Sequence, residues 1–244
     1  MQQKNTILEK EREILERFFG AAFVDLPSLP DWITDELLSF WHENLFDVHY
    51  LPSFSLDKTI HVPLWKDRPN PLFYKKMREE ACLLPGKWIL VDERDKPAKK
   101  VPWIQHNDVR LLEALGLCPK NYLKKWSRQL HRQEYLLPAL HQKGFGSRFC
   151  LTISEIDELK PIILDFLKID PQKTIRLPSF IEYNYLGNAI YTQWQTTETW
   201  EWLEDTLDDG QHLASGCKSV GSLGWDPPEF WSTILTFRPV VELS

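Results

Sequence analysis

The chain has no apolar run approaching the roughly 20 residues that a membrane-spanning helix needs. Its first residues, MQQKNTILEKEREILERFF, are too charged for a secretory leader. It has no CxxC pair: Cys82, Cys118, Cys150 and Cys217 lie far apart, which removes the spacing of a zinc knuckle or redox motif and leaves buried thiols as the expectation. It has no surplus of basic residues either. With 29 Lys and Arg against 35 Asp and Glu the net charge is −6, which argues against nucleic acid or an anionic membrane as a partner. Internal repeats and low-complexity linkers are missing too. These absences point to a cytoplasmic globular chain, and 244 residues with 43% hydrophobic content suffice for a sizeable core.

What the chain has in excess is tryptophan, 11 in all, and Trp serves cores and binding surfaces equally, so the count decides nothing alone. Ile7, Leu8, Ile14, Leu15, Phe18 and Phe19 recur at helical spacing and predict an amphipathic helix over 5–19. A Pro-marked break follows. Asp31 then stands as cap for a second helix with Trp32, Ile33, Leu37, Leu38, Phe40 and Trp41 on its apolar face. Prolines at 52, 63, 69 and 71 predict loop and edge strand. PLFYKKMREEACLL predicts a helix of about three turns stopped by Pro85-Gly86, and KWILVDER a strand. KPAKK reads as a solvated turn and NDVRLLEALGL as a short helix. In NYLKKWSRQLHRQEYLLPALHQKGFG basic residues alternate with aromatics, but Leu123, Trp126, Leu130 and Leu137 form a stripe to bury, with the charges on the wet side. GSRFCLTI predicts a strand. Thr152 and Glu155 make a capping box for a helix that Pro161 is expected to kink or split.

Four segments close the chain. RLPSFIEYNYLGN holds a second capping box, Ser179 to Glu182, and predicts a helix stopped by Gly187-Asn188. TETWEWLED alternates aromatic and polar residues as a half-buried strand does. HLASGCKSVGSLGWDPPEFWS is broken by glycine and Pro227-Pro228 into short strands and loops. TILTFRPVVEL is strongly β-prone, and its Arg238 requires an acidic side chain or carbonyl groups as partner.

These segments resemble, in order and approximate spacing, motifs of the formylglycine-generating, or sulfatase-modifying, family. RLPSFIEYNYL is similar to its RLPTEAEWEYA, TETWEWLED to GNVWEWTSD, HLASGCKSVG to RVLRGGSWxxx, and LTFRPVVEL to IGFRLV. The match covers about 70 residues. The resemblance implies an α+β, C-type-lectin-like fold with short twisted strands and long loops in 81–244, preceded by amino-terminal helices in 1–80. That fold hosts copper-dependent oxidation, iron-dependent carbon–sulfur bond formation and ligand display by the variable proteins of diversity-generating retroelements, so fold alone does not settle function.

The oxidising enzymes hold copper with two nearby cysteines, whereas here Cys217 stands alone in the last 90 residues. The iron enzymes carry an HxxxHxE motif. Here His42 and His49 are seven apart and His131 and His141 ten apart, so neither pair has the spacing for one helix face. The expectation is therefore a non-catalytic binding protein without catalytic residues or a required cofactor, with a metal-dependent oxidase as the alternative. Scattered carboxylates and carbonyls would accommodate a structural calcium. The closing strand, TFRPV, is closer to the GFRPV of retroelement variable proteins, whose ligand-facing positions lie just before it. That places candidate ligand contacts at Lys218, Ser219, Ser222, Trp225, Asp226, Glu229, Phe230 and Trp231, where small polar residues stand beside rigid aromatics. The expected partner is a protein, and the amino-terminal helices offer a docking or homo-oligomerisation element.

Overall fold

The computed structural model describes residues 2–20, 26–94, 148–196 and 198–244. The expectations for KPAKK, for the helix at 107–117 and for the basic aromatic stretch that follows lie outside the described residues, as do Cys118, His131 and His141. Among the described residues the protein is α+β, with five α-helices and two four-stranded sheets. The helices are α1 (Gln2–Phe19), α2 (Asp35–Glu43), α3 (Pro71–Lys76), α4 (Ile153–Phe166) and α5 (Phe180–Ala189). The strands are β1 (Phe46–Ser55), β2 (Leu83–Asp92), β3 (Ile175–Arg176), β4 (Trp200–Thr206), β5 (His212–Ser215), β6 (Gly224–Asp226), β7 (Leu235–Phe237) and β8 (Val240–Glu242). The first sheet has the order β1-β2-β8-β3 and the second β6-β5-β4-β7, with β4 and β7 parallel. No described helix is long and apolar enough to cross a membrane.

Both sheets stand between two apolar clusters, and their side chains alternate between them. Trp88 and Leu90 join the cluster that holds Trp41, Leu159 and Ile163, while Ile89 and Val91 join the one that holds Leu15, Phe18 and Tyr185. A strand covered on both faces has no wet side, which is why Ile89-Leu90-Val91 reads as a continuous apolar run. The same division separates Trp202 from Leu203 and Val241 from Val240. β1 and β2 pair along their length across residue 80, near which the sequence suggests a boundary, so segments on either side of it share one sheet.

α1 is tied to this body by a buried polar chain. Glu11 accepts a hydrogen bond from His49 Nδ1 at 2.8 Å and from the Tyr50 amide at 2.9 Å, and His49 Nε2 lies 2.7 Å from the Tyr191 hydroxyl. Burial alone would lower the His49 pKa, but the Glu11 and Asp47 carboxylates outweigh it and the net shift is upward.

Several local expectations are corrected by tertiary contacts. The cap of α2 is Thr34, whose side chain accepts from the Leu37 amide, not Asp31. The third helix stops at Lys76, a 3-10 turn follows at Glu79–Cys82, and Pro85-Gly86 lies inside β2. Gly86 has φ +69° and faces Ser53, where β1 carries Pro52 on the sheet's outer edge. Arg148 to Cys150 is a bend, because Cys150 has φ +60°, which a strand excludes. α4 is one continuous helix despite Pro161, and its capping box forms as expected. α5 also starts at its expected capping box but runs through Gly187-Asn188. There glycine is a packing residue: a Cβ on it would sit 2.4 Å from Val220 Cγ1. The terminal β-prone segment is two strands, because the chain leaves one sheet for the other at Arg238-Pro239.

Candidate functional site

The four closing segments are bonded to one another. Arg176 makes a two-pronged ion pair with Glu182 of the α5 capping box at 2.6 and 2.7 Å, and donates to Glu242 at 2.9 Å. Glu204 accepts from the Leu177 amide, and Asp205 from the Phe180 amide. Arg238 finds the acidic partner its position requires: Nε and Nη2 meet Glu201 at 3.0 and 2.9 Å, Nη1 reaches the Asp92 carbonyl, and the guanidinium lies 3.9 Å over the Trp194 ring. Arg148 pairs with Asp92 at 3.1 Å. All four charged groups of this network, Asp92, Arg148, Glu201 and Arg238, are fully buried. Burial pushes the Asp92 pKa up, but Arg148, Arg94 and Arg238 outweigh it and hold the carboxyl below its ordinary range. Each charge is matched, so the network is a scaffold that joins β2, β4 and the sheet switch.

The loop after β5 is held just as firmly. Ser219 donates to the Asp67 carboxylate, whose Oδ2 and Ser219 Oγ also receive the Gly221 amide at 3.2 and 3.0 Å. Ser222 donates to the Ser219 carbonyl at 2.7 Å and accepts from the Gly216 amide at 3.0 Å. Gly221 sits so close to Arg68 that a Cβ on it would lie 2.1 Å from that carbonyl oxygen. Asn184 and Asn188 hold the same 66–68 segment from α5 through the Asp67 carbonyl and amide. The serines expected to meet a ligand are thus committed to shaping the loop.

The remaining candidates divide by position. Lys218 is exposed, with φ +62°, and lies 3.5 Å from Glu198 in a solvent-screened pair. Glu229 is exposed. Trp231 is 1% exposed, so its side chain is interior and offers a ligand no surface. In β6, Gly224 and Asp226 face one side and Trp225 the other. The half-buried Trp225 ring packs with the α1 and α5 cluster, under the Lys76 ammonium at 4.6 Å.

The other side of β6 forms a cleft of about 330 Å³ lined by Trp200, Ala214, Gly224, Trp225, Asp226, Phe230, Ser232, Ile234 and Leu235. Its shape follows from the strand register: Trp202 opposes Ala214, and Ala214 opposes Gly224. Gly224 leaves room for the Trp200 ring, which would approach a Cβ there to 3.1 Å. Burial pushes the Asp226 carboxyl up to about 6. Two of the sequence's candidates, Asp226 and Phe230, therefore meet at one cleft, which Trp225 borders from β6 while its ring packs on the strand's other side. Trp200 escaped sequence reasoning because its strand reads as framework. The available signal was its two-residue spacing from Trp202, with a glycine-bounded strand as neighbour. A second cleft, about 390 Å³, lies between α1, α2 and β1 and includes Ile7, Lys10, His42 and Asp47.

Among the described residues no group of three or more His, Cys, Asp or Glu side chains is arranged to hold a metal ion. Cys82 and Cys150 are buried and Cys217 half-buried, and burial pushes the Cys82 thiol up to about 11. No family model, curated protein or solved structure matches the chain.

Proposed function

We propose that the protein is a non-catalytic ligand-binding protein on a C-type-lectin-like scaffold, of the kind diversified by retroelements, whose carboxy-terminal loops receive a protein ligand. The observation that carries this is the cleft beside β6, where Asp226 and Phe230 of the candidate segment join Trp200. A concave, mostly apolar surface with few polar groups is the general form of a binding site. The scaffold is supported by the mutual bonding of the four segments that carry the resemblance, through Arg176, Glu182 and Glu242, through Glu201 and Arg238, and through the pairing of β4 with β5. Ser219 and Ser222 set the loop's shape and Trp231 fills the interior. Lys218, Asp226, Glu229 and Phe230 are left as the contact set, while the Trp225 ring packs on the opposite side of β6.

Two measurements test the proposal. Purified protein is expected to carry no stoichiometric copper or iron by elemental analysis. Stoichiometric metal that disappears in Cys217→Ala would overturn the binder in favour of an oxidase. The retroelement origin predicts a near-copy of the 3′ end of the gene beside a reverse-transcriptase gene, with differences mainly at adenines that fall on codons of the contact set. If the copy's differences fall instead on Arg176, Glu182, Glu201 or Arg238, ligand display by this loop is overturned.

A further inference from the structure

The cleft has a chemical asymmetry that specifies its guest. Its walls are apolar: Trp200, Ala214, Phe230, Ile234 and Leu235. Asp226 is the sole ionisable side chain in its lining. Among the described residues no basic side chain lines the cleft. The Asp226 side chain has no hydrogen bond or ion pair among the described residues. Its cross-strand neighbour His212 directs Nδ1 to the Leu203 carbonyl at 3.3 Å and sets its ring edge-on to Trp202. Lys76 sits over the Trp225 ring, on the opposite side of β6. The fully buried carboxylates among the described residues, by contrast, have cationic partners: Asp92 has Arg148, Glu201 has Arg238 and Glu11 has His49. Burial is the one cause of the upward shift at Asp226, as expected of a carboxylate that loses water and gains nothing in exchange.

We propose that the cleft takes the basic side chain of the protein ligand, its alkyl stem lying against Trp200 and Phe230 and its cationic head meeting the Asp226 carboxylate. This rests on the assignment of the cleft as the ligand site and names what enters it. A lysine or arginine side chain has this division of character, an apolar stem with a charged end. The aromatic rings add a cation–π attraction near the entrance. A sugar fits less well, because its many hydroxyls need several converging polar groups and this lining offers chiefly one carboxylate. The net charge of −6 favours approach of a basic partner over long range.

The test uses the full chain and two capped amino acids, N-acetyl-lysine methylamide and its uncharged isostere N-acetyl-norleucine methylamide. Nuclear magnetic resonance follows the Trp200 indole N–H, assigned with Trp200→Phe. The lysine probe is expected to shift this resonance saturably, and to bind roughly tenfold more weakly when norleucine replaces lysine or Asn replaces Asp226. Asp226→Asn is half-exposed and its Tm serves as the folding control. Equal binding of both probes overturns the cationic guest and leaves the cleft as a ligand site. A lysine preference that survives in Asp226→Asn overturns the role of Asp226. If neither probe moves Trp200, the cleft itself is the wrong site.

Discussion

Glu201 and Asp226 belong to the same four-stranded sheet and lie on its opposite faces. Glu201 is fully buried and held by both arms of Arg238, within a network that also takes in Asp92 and Arg148. Asp226 is half-buried, in the lining of an aromatic cleft, with its charge unmatched among the described residues. A buried charge with its partner fixes a fold, because removing either member strands the other in a low-dielectric interior. A desolvated charge without one costs a little stability and is kept where an outside partner supplies the match. On the proposed reading, the two faces of one sheet separate architecture from recognition.

The comparison breaks most visibly at Glu201. Glu201→Ala leaves Arg238 buried without its carboxylate and is expected to cost ~3–5 kcal/mol, read from the midpoint of urea unfolding. A loss below ~1 kcal/mol would show the network to be ornamental to the fold. Gly221→Ala comes next, at ~1–3 kcal/mol, because a Cβ meets the Arg68 carbonyl and pries the 216–222 loop off Asp67.

Asp205 supplies the pH test. Burial raises its carboxyl to about 6, so between roughly pH 4 and 6 the folded state holds a proton that the unfolded state has released. Stability contributed by this group therefore falls as pH rises through that window and is constant above it. Asp205→Asn keeps a carbonyl acceptor for the Phe180 amide and removes the titration. The difference in Tm between Asp205→Asn and the parent chain should grow from pH 4 to 6, amounting to ~2 kcal/mol. A difference independent of pH would sink the assignment.

Ser179→Ala removes one half of the α5 capping box and should cost ~1 kcal/mol. At the small end, Asp226→Asn should change stability by less than ~0.5 kcal/mol, or raise it, while Glu201→Ala is ruinous. If Asp226→Asn were as damaging as Glu201→Ala, the two faces would not differ in role.

Local signals with a local mechanism were legible in the chain. The capping boxes at Thr152–Glu155 and Ser179–Glu182 form because cap and acceptor lie three residues apart, so no distant contact is needed. The requirement of Arg238 for an acidic partner followed from burying a charge in a β-prone run, although its partner did not. Glycines and prolines were harder. Gly86 and Gly187 read as stops, yet one lies within a strand and the other within a helix. Their backbone freedom is visible in sequence, but whether it is used for a turn or for a close approach depends on Ser53 and Val220, 33 residues from each.

The sequence by itself determined the starts of α4 and α5 and the α+β character, and it nominated the stretch 218–232 as the candidate site. Tertiary structure decided which side chains of that stretch line a cleft and which are bonded within the loop. Ser219 and Ser222 look free in the chain, but Asp67 arrives from 152 residues away to claim the first and fix the loop around the second. Trp200 looks like framework until β5 and β6 set Ala214 and Gly224 beside it. The physical reason is common to both. Composition gives each residue its chemistry, whereas only the folded neighbours decide whether that chemistry is spent internally or left facing a cleft.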